Sequence, residues 1–282
     1  MQKKIKVVFS ALLLVASLTA CSSESSDNSA SASCTPTDLK TVEANLLTIA
    51  TGEPAYPPWV EDDKPESGKG FEAAVAYAVA KQLGYTNDQV KWVRTTFDGA
   101  IAPGPKNFDF NIQQYSITDE REQVVDFSSA YYKSNQAIVT YKGSKIASVK
   151  SIADLASAKA KLGAAVASTS LDAVEKVLGL KASVFNDNAA AVAALKNKQI
   201  DGIVVDLPTA FYLAAAEVTN GVIAGQFTNV DGADKGAGLL LANESPITAC
   251  VTGAVDALRD SGELAAIETE WLTASAGAPV LQ

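Results

Sequence analysis

The chain has no histidine, and only three cysteines and one methionine among 282 residues. Without histidine, and with so few thiols, it lacks the usual ligand set of a zinc site. It also lacks the side chain most used for proton transfer near neutral pH, so acid–base catalysis would fall to carboxylates. Positive charge is scarce as well: 23 Lys and Arg stand against 32 Asp and Glu, a net charge of −9. That balance argues against nucleic acid as a partner. It leaves open a small anionic or zwitterionic ligand, because a cleft can differ from the surface around it. Long apolar runs are missing too. The run at 7–16 is short for crossing a bilayer, and no later stretch is long and apolar enough to do so.

What is present begins with a targeting pattern. Lys3, Lys4 and Lys6 precede the apolar run, which ends in Leu18-Thr19-Ala20-Cys21. Residues 1–20 read as a signal segment outside the fold. Small residues before a cysteine resemble a bacterial lipobox, in which Cys21 is acylated and becomes the new N-terminus. The competing reading is an ordinary secretory signal. Residues 21–36, Ser-rich at 22–33, form a tether that cannot bury enough apolar surface to order itself. Removing 1–20 takes away three lysines and no acid, so the net charge moves from −9 to −12. Cys34 and Cys250 remain. An extracytoplasmic compartment permits a disulfide; if both lie in one lobe they could staple the N-terminus to it, and otherwise they are two free thiols.

From 37 to 272 the pattern alternates strand and helix, the mark of an α/β fold. Leu46-Leu47-Thr48-Ile49-Ala50 is a short apolar strand. Phe71, Val75, Val79 and Leu83 are spaced by four along a helix ended by Gly84. Residues 90–94 and 108–113 are strands. The pattern restarts with strands at 137–141, 162–167, 183–185, 200–206 and 237–242. Helices are expected at Ser151 with Asp154, at 171–178 capped by Ser170, from Asn188 to Lys198, from Ser245-Pro246 and at 263–272. Each half has a strand opening on aspartate, Asp109-Phe110-Asn111 and Asp201-Gly202-Ile203, which suggests two lobes of one design.

Residues 108–132, FDFNIQQYSITDEREQVVDFSSAYY, are the most informative. A buried strand runs into Gln113-Gln114-Tyr115-Ser116, polar groups aimed at something, and Arg121 follows with a planar donor fork suited to a carboxylate. Together with Ala55-Tyr56-Pro57-Pro58-Trp59, Gly70-Phe71-Glu72, Thr96-Phe97-Asp98, Ser116-Ile117-Thr118-Asp119-Glu120-Arg121, Val125-Asp126-Phe127-Ser128 and Ile200-Asp201-Gly202-Ile203-Val204-Val205-Asp206, this stretch resembles the extracytoplasmic solute-binding proteins of polar amino-acid ABC importers, solute-binding protein family 3. The resemblance implies a type II periplasmic-binding-protein-like fold: an α/β protein of two lobes, with a ligand cleft between them and two hinge crossings. Lobe 1 would take 37–135 and 233–282, and lobe 2 would take 136–232, with crossings near 133–137 and 231–236. The final helices would pack back on lobe 1.

The same resemblance implies the site. Tyr56 and Phe97 match positions that sandwich the ligand, and Glu53 can meet its side chain. Trp59 reads as structural or at the rim. Gln113, Gln114 and Ser116 match the polar strand end, Gln114 through its backbone carbonyl, and Arg121 matches the carboxylate clamp. Ser168 and Thr169 stand in the second-lobe loop, where Ala167 replaces the usual glycine, and Asp206 matches the anchor for the α-ammonium. The implied protein is a monomer without a cofactor or a metal, is not an enzyme, and is held by lipid on the outer face of the cell membrane, where it hands an amino acid to an ABC permease. The other readings are a binding protein that senses its ligand for a separate signalling partner, and an enzyme like the dehydratases for cyclic carboxylates that share the fold.

Overall fold

The structure, a computed structural model, describes residues 33–227, 235–272 and 278–281. The expected signal segment, Cys21, the tether up to residue 32 and residues 231–234 of the second expected crossing lie outside the described residues. No helix among the described residues is long and apolar enough to cross a membrane.

Two five-stranded sheets organise the described residues. The first holds β1 (Leu47–Thr51), β2 (Val90–Arg94), β3 (Phe110–Asn111) and β4 (Val125–Phe127). The second holds β5 (Gln136–Tyr141), β6 (Leu162–Ala165), β7 (Ser183–Phe185), β8 (Gly202–Asp206) and β9 (Gly221–Phe227). β10 (Leu240–Ala242) returns to the first sheet, giving the orders β2-β1-β3-β10-β4 and β7-β6-β8-β5-β9. β1 is buried at all five positions and pairs in parallel with β2 and β3. Strands covered on both faces read as unbroken apolar runs, as Leu-Thr-Ile-Ala-Thr nearly does.

In the first lobe, α1 (Phe71–Gln82) buries the four apolar residues of its predicted stripe, and Gly84 follows with φ +82°, the left-handed turn that stops it. The short α2 (Phe97–Ile101) is capped by Thr96, whose hydroxyl accepts from the Gly99 N–H. In the second lobe come α3 (Ile152–Ser157), α4 (Thr169–Asp172), α5 (Asn188–Lys196) and α6 (Leu207–Tyr212). Alternate residues of β5 and β8 feed opposite faces of their sheet: Ile138 and Val204 join one core, Ala137, Val139, Ile203 and Val205 the other. Finally α7 (Thr248–Asp260) and α8 (Glu263–Leu272) share a core with α1 through Val251, Val255, Leu264 and Leu272. A disulfide joins Cys34 to Cys250 on α7, closing a separation of 216 residues.

The two aspartates that open the paired strands do the same work. Thr48 donates its N–H to Asp109 Oδ2 at 2.6 Å, and Asp109 returns its own N–H to the Thr48 carbonyl at 2.7 Å. Lys161 and Asp201 repeat both bonds in the other sheet, at 2.7 and 2.8 Å.

Several expectations shift. The strand expected at 108–113 is regular only at Phe110–Asn111, although Asp109 and Ile112 still donate to β1 carbonyls. The strand expected at 237–242 is regular only from Leu240. Ser168, not Ser170, caps the helix after β6, because the chain turns at Ala167 with φ +57° and the helix starts earlier. Asp187, not Asn188, caps α5. Ser245-Pro246 forms a turn before α7 rather than its first turn: Asp126 on β4 accepts from the N–H groups of Glu244 and Ser245 and from the Thr248 hydroxyl, so another strand supplies the cap. The assignment of 233–282 to lobe 1 also needs correction. Residues 278–281 run beside β9: Gln226 donates to Pro279 O at 2.7 Å, Leu281 donates to Gln226 O at 2.8 Å, and Leu281 is buried in a second-lobe core. The exposed edge of β9 offered unpaired backbone groups, and the tail pairs with them.

Candidate functional site

A cavity of about 510 Å³ opens between the lobes, lined from both. From the first lobe, Glu53 and Tyr56 lie just past the end of β1, Phe97 starts α2, and Gln113 and Gln114 follow β3. From the second, Ser168 and Thr169 stand at the start of α4, and Asp206 ends β8. Eight of the ten expected binding residues therefore share one cavity. Ser116 and Arg121 are not among its lining residues. Ser116 borders a small adjoining pocket with Trp59, Gln114 and Asp206.

Local geometry shows what each residue is already doing. Arg121 is 7% exposed. It donates from Nη1 to the Ser116 carbonyl at 2.7 Å and from Nη2 to the Ala167 carbonyl of the other lobe at 2.8 Å. Its guanidinium also lies over the Phe97 ring, 5.6 Å from the centroid, and Phe97 stacks on Tyr115 at 4.6 Å. Tyr56 meets Tyr212 of the second lobe with ring centroids 5.8 Å apart. The two expected aromatics are thus each backed by a tyrosine that sequence reasoning did not single out. Ser168 is committed to its own turn, donating to Ala165 O and accepting from Leu171 N. Ser116 Oγ and Thr169 Oγ1 pair across the cleft at 3.3 Å.

The polar strand end depends on a buried carboxylate. Gln114 has φ +50°, uncommon for a residue with a side chain. Its N–H donates to Glu72 Oε1 at 2.8 Å, its side-chain amide donates to Glu72 Oε2, and Tyr131 OH donates to Oε1. Burial raises the Glu72 carboxyl to about 7 despite these three donors. Gly52 is glycine for a local reason: a Cβ there would run into the Gln113 side-chain amide, which accepts the Tyr115 hydroxyl at 3.0 Å.

Asp206 is held by a relay. Ser170 Oγ donates to Gln136 Oε1 at 2.5 Å, and Gln136 Nε2 donates to Asp206 Oδ1 at 2.6 Å. Asp206 stands at the N-cap position of α6, and its carboxylate makes no capping bond to that helix. Gln136 is fully buried in β5, directly opposite Asp206 in the sheet register. A glutamine opening an otherwise apolar strand was the available signal for it. Trp59 joins the lobes: its indole N–H reaches Thr209 Oγ1 across the cleft. Among the described residues, no group of three or more His, Cys, Asp or Glu is placed to hold a metal ion.

The chain is 32% identical over 210 residues to a probable histidine-binding protein of Campylobacter jejuni, covering 72% of each chain. It is 28% identical over 210 residues to the ABC transporter glutamine-binding protein GlnH of Bacillus subtilis, covering 73% of this chain and 75% of that one. Among solved structures it is similar to an ancestral arginine-binding protein bound to glutamine, with a TM-score of 0.65 and 29% identity over 80% of this chain and 97% of that one. Residues 47–274 match the family described as bacterial extracellular solute-binding proteins, family 3, and the chain belongs to that family.

Proposed function

We propose that the chain is an extracytoplasmic receptor that closes its two lobes on a free amino acid and delivers it to the permease of an ABC importer. The observation that carries this reading is the inter-lobe cavity, with Asp206 in its wall and the Arg121 guanidinium over the ring of Phe97, one of its lining residues. An α-amino acid carries one carboxylate and one ammonium. Arg121 supplies a fork for the first and Asp206 an anion for the second. Glu53, Tyr56, Phe97, Gln113, Gln114, Ser116, Ser168 and Thr169 complete the shell. Arg121 now grips the Ala167 carbonyl, so a ligand carboxylate would share or take over that donor. Hinge closure around a ligand is the motion a two-lobed binding protein uses. The lobes would divide at 135–136 and 232–233, with the terminal 278–281 strip on lobe 2.

The function is binding and handover, not catalysis. Curated relatives are named for the amino acids they bind, which supports this reading. Anchoring through an acylated Cys21, exposed outside the cell membrane, follows from the lipobox-like pattern. A thermal-shift screen against the common amino acids tests the receptor reading, because a tight ligand raises Tm by mass action. Failure of all of them to shift Tm would refute it. Intact mass of the membrane-extracted protein tests the anchor; a mature chain with no lipid increment on Cys21 refutes that part.

A further inference from the structure

The cavity wall is one-sided in charge. Glu53 and Asp98 face it from the first lobe, Asp187 and Asp206 from the second, and among the described residues no lysine or arginine lines it. We infer that the ligand is a basic amino acid, one whose side chain is a cation on a long stem. This rests on the amino-acid receptor reading and narrows it.

The argument is a charge balance within one cavity. A zwitterionic ligand brings a carboxylate and an ammonium and no net charge. Arg121 beside the cavity answers the carboxylate, and Asp206 answers the ammonium. Glu53, Asp98 and Asp187 remain as solvent-exposed negative charges on the walls, Asp98 and Asp187 each also accepting one backbone N–H, from Gly99 and Ala190. A neutral side chain leaves their mutual repulsion in place. An acidic side chain adds to it, and like-charge juxtaposition is a strong means of rejecting a wrong ligand. A cationic side chain relieves it. The three come from separate segments: Glu53 just beyond β1, Asp98 in the first turn of α2, and Asp187 before α5.

Two further features fit a long cation. The cavity, at about 510 Å³, lies in the size range of ligand pockets and has room beyond the main-chain groups of an amino acid. Tyr56 lines it, and an aromatic face attracts cations; the Phe97 ring already packs against Arg121 and Tyr115. The field at Tyr56 has the expected sign as well. Burial first, then Glu217, Asp187 and Asp63, push its hydroxyl up to about 12.

The test is calorimetric titration of the dialysed protein with L-arginine, L-lysine, L-citrulline, L-glutamine and L-glutamate. L-citrulline has nearly the shape of L-arginine without its charge. L-arginine or L-lysine should bind at least roughly tenfold more tightly than L-citrulline and L-glutamine, and L-glutamate should bind most weakly. The variants are Glu53→Gln and Asp187→Asn. Asparagine keeps an acceptor for the Ala190 N–H that Asp187 now caps, so α5 retains its cap. In the double variant the ratio of arginine to citrulline affinity should fall several-fold. Equal or tighter binding of L-citrulline, L-glutamine or L-glutamate overturns the inference and leaves the receptor reading standing. So does a ratio unchanged in the double variant. If no amino acid binds, the receptor reading falls and this inference with it.

Discussion

The Trp59 indole N–H donates to Thr209 Oγ1 at 2.7 Å, joining the two lobes through residues 150 positions apart. Both partners are buried, at 2% and 3% exposure. The bond exists only while the lobes are together, so it stabilises the closed form. Trp59→Phe keeps an aromatic body and removes the donor. It should cost about 1 kcal/mol of closure, a several-fold loss of ligand affinity. Calorimetry reads the affinity, and small-angle scattering reads the shift towards an open form. Unchanged values in both would show the bond to be incidental.

Arg121 spans the same cleft. Arg121→Ala removes the proposed carboxylate fork and the bond to Ala167 O. Loss of one partner of such a desolvated pair costs on the order of 2–5 kcal/mol, so binding should become undetectable. Arg121→Lys should recover part of it, since lysine keeps charge without the fork. Circular dichroism checks that both variants fold. Wild-type affinity in Arg121→Ala would remove the residue from the site.

Asp206 separates an amino-acid receptor from a receptor for any carboxylate. Asp206→Asn keeps the shape, and an accepting oxygen for Gln136. Binding of the amino acid should weaken strongly, and its advantage over the matching 2-hydroxy acid should shrink. The comparison needs both proteins and both ligands. An equal loss on removing the ammonium in wild type and variant would show that Asp206 does not touch the amine.

Glu72 should make stability depend on pH. Its folded carboxyl is raised from 4.5 to about 7, chiefly by burial. The folded state therefore holds a proton that the unfolded chain has released between those values. That contribution is fully present below pH 4.5 and is lost as pH rises through 7, by up to about 3 kcal/mol. Denaturant unfolding at pH 5 and pH 8 measures it. Glu72→Gln should flatten this component of the profile, and an unaltered slope would place the titration elsewhere.

The Cys34–Cys250 bond closes a very long loop and should contribute about 2–4 kcal/mol, chiefly by restricting the unfolded chain. Paired Cys34→Ser and Cys250→Ser should lower Tm while leaving ligand affinity near wild type. Peptide mapping without reductant checks the bond itself. Recovery of both cysteines as alkylated thiols from oxidised folded protein would refute it.

Local patterns in the sequence carried much of the fold. The spacing of Phe71, Val75, Val79 and Leu83 marked α1, and the apolar alternation at 90–94 marked β2. The capping pair Ser151 and Asp154 marked α3, and the polar run after Ile112 marked the site strand. Each is legible because its cause lies within a turn or two of chain. Caps supplied from elsewhere were misread. Asp126 holds the turn before α7 from another strand, and the left-handed Ala167 moved the start of α4. The tail 278–281 was misplaced because its partner, the edge of β9, is some fifty residues away in sequence.

The sequence by itself determined the strand–helix order and the acidic balance, because residue type and spacing act through local geometry, while most of the residues that meet in the cleft were legible only through the resemblance to a family. Only the tertiary structure decided that Glu72 supports Gln114, that Gln136 holds Asp206, that Arg121 reaches across to Ala167, and that Asp98 and Asp187 add to an anionic wall. Each of these joins residues tens of positions apart: the Glu72–Gln114 and Gln136–Asp206 bonds form when one lobe folds, and the Arg121–Ala167 bond and the anionic wall need both lobes together.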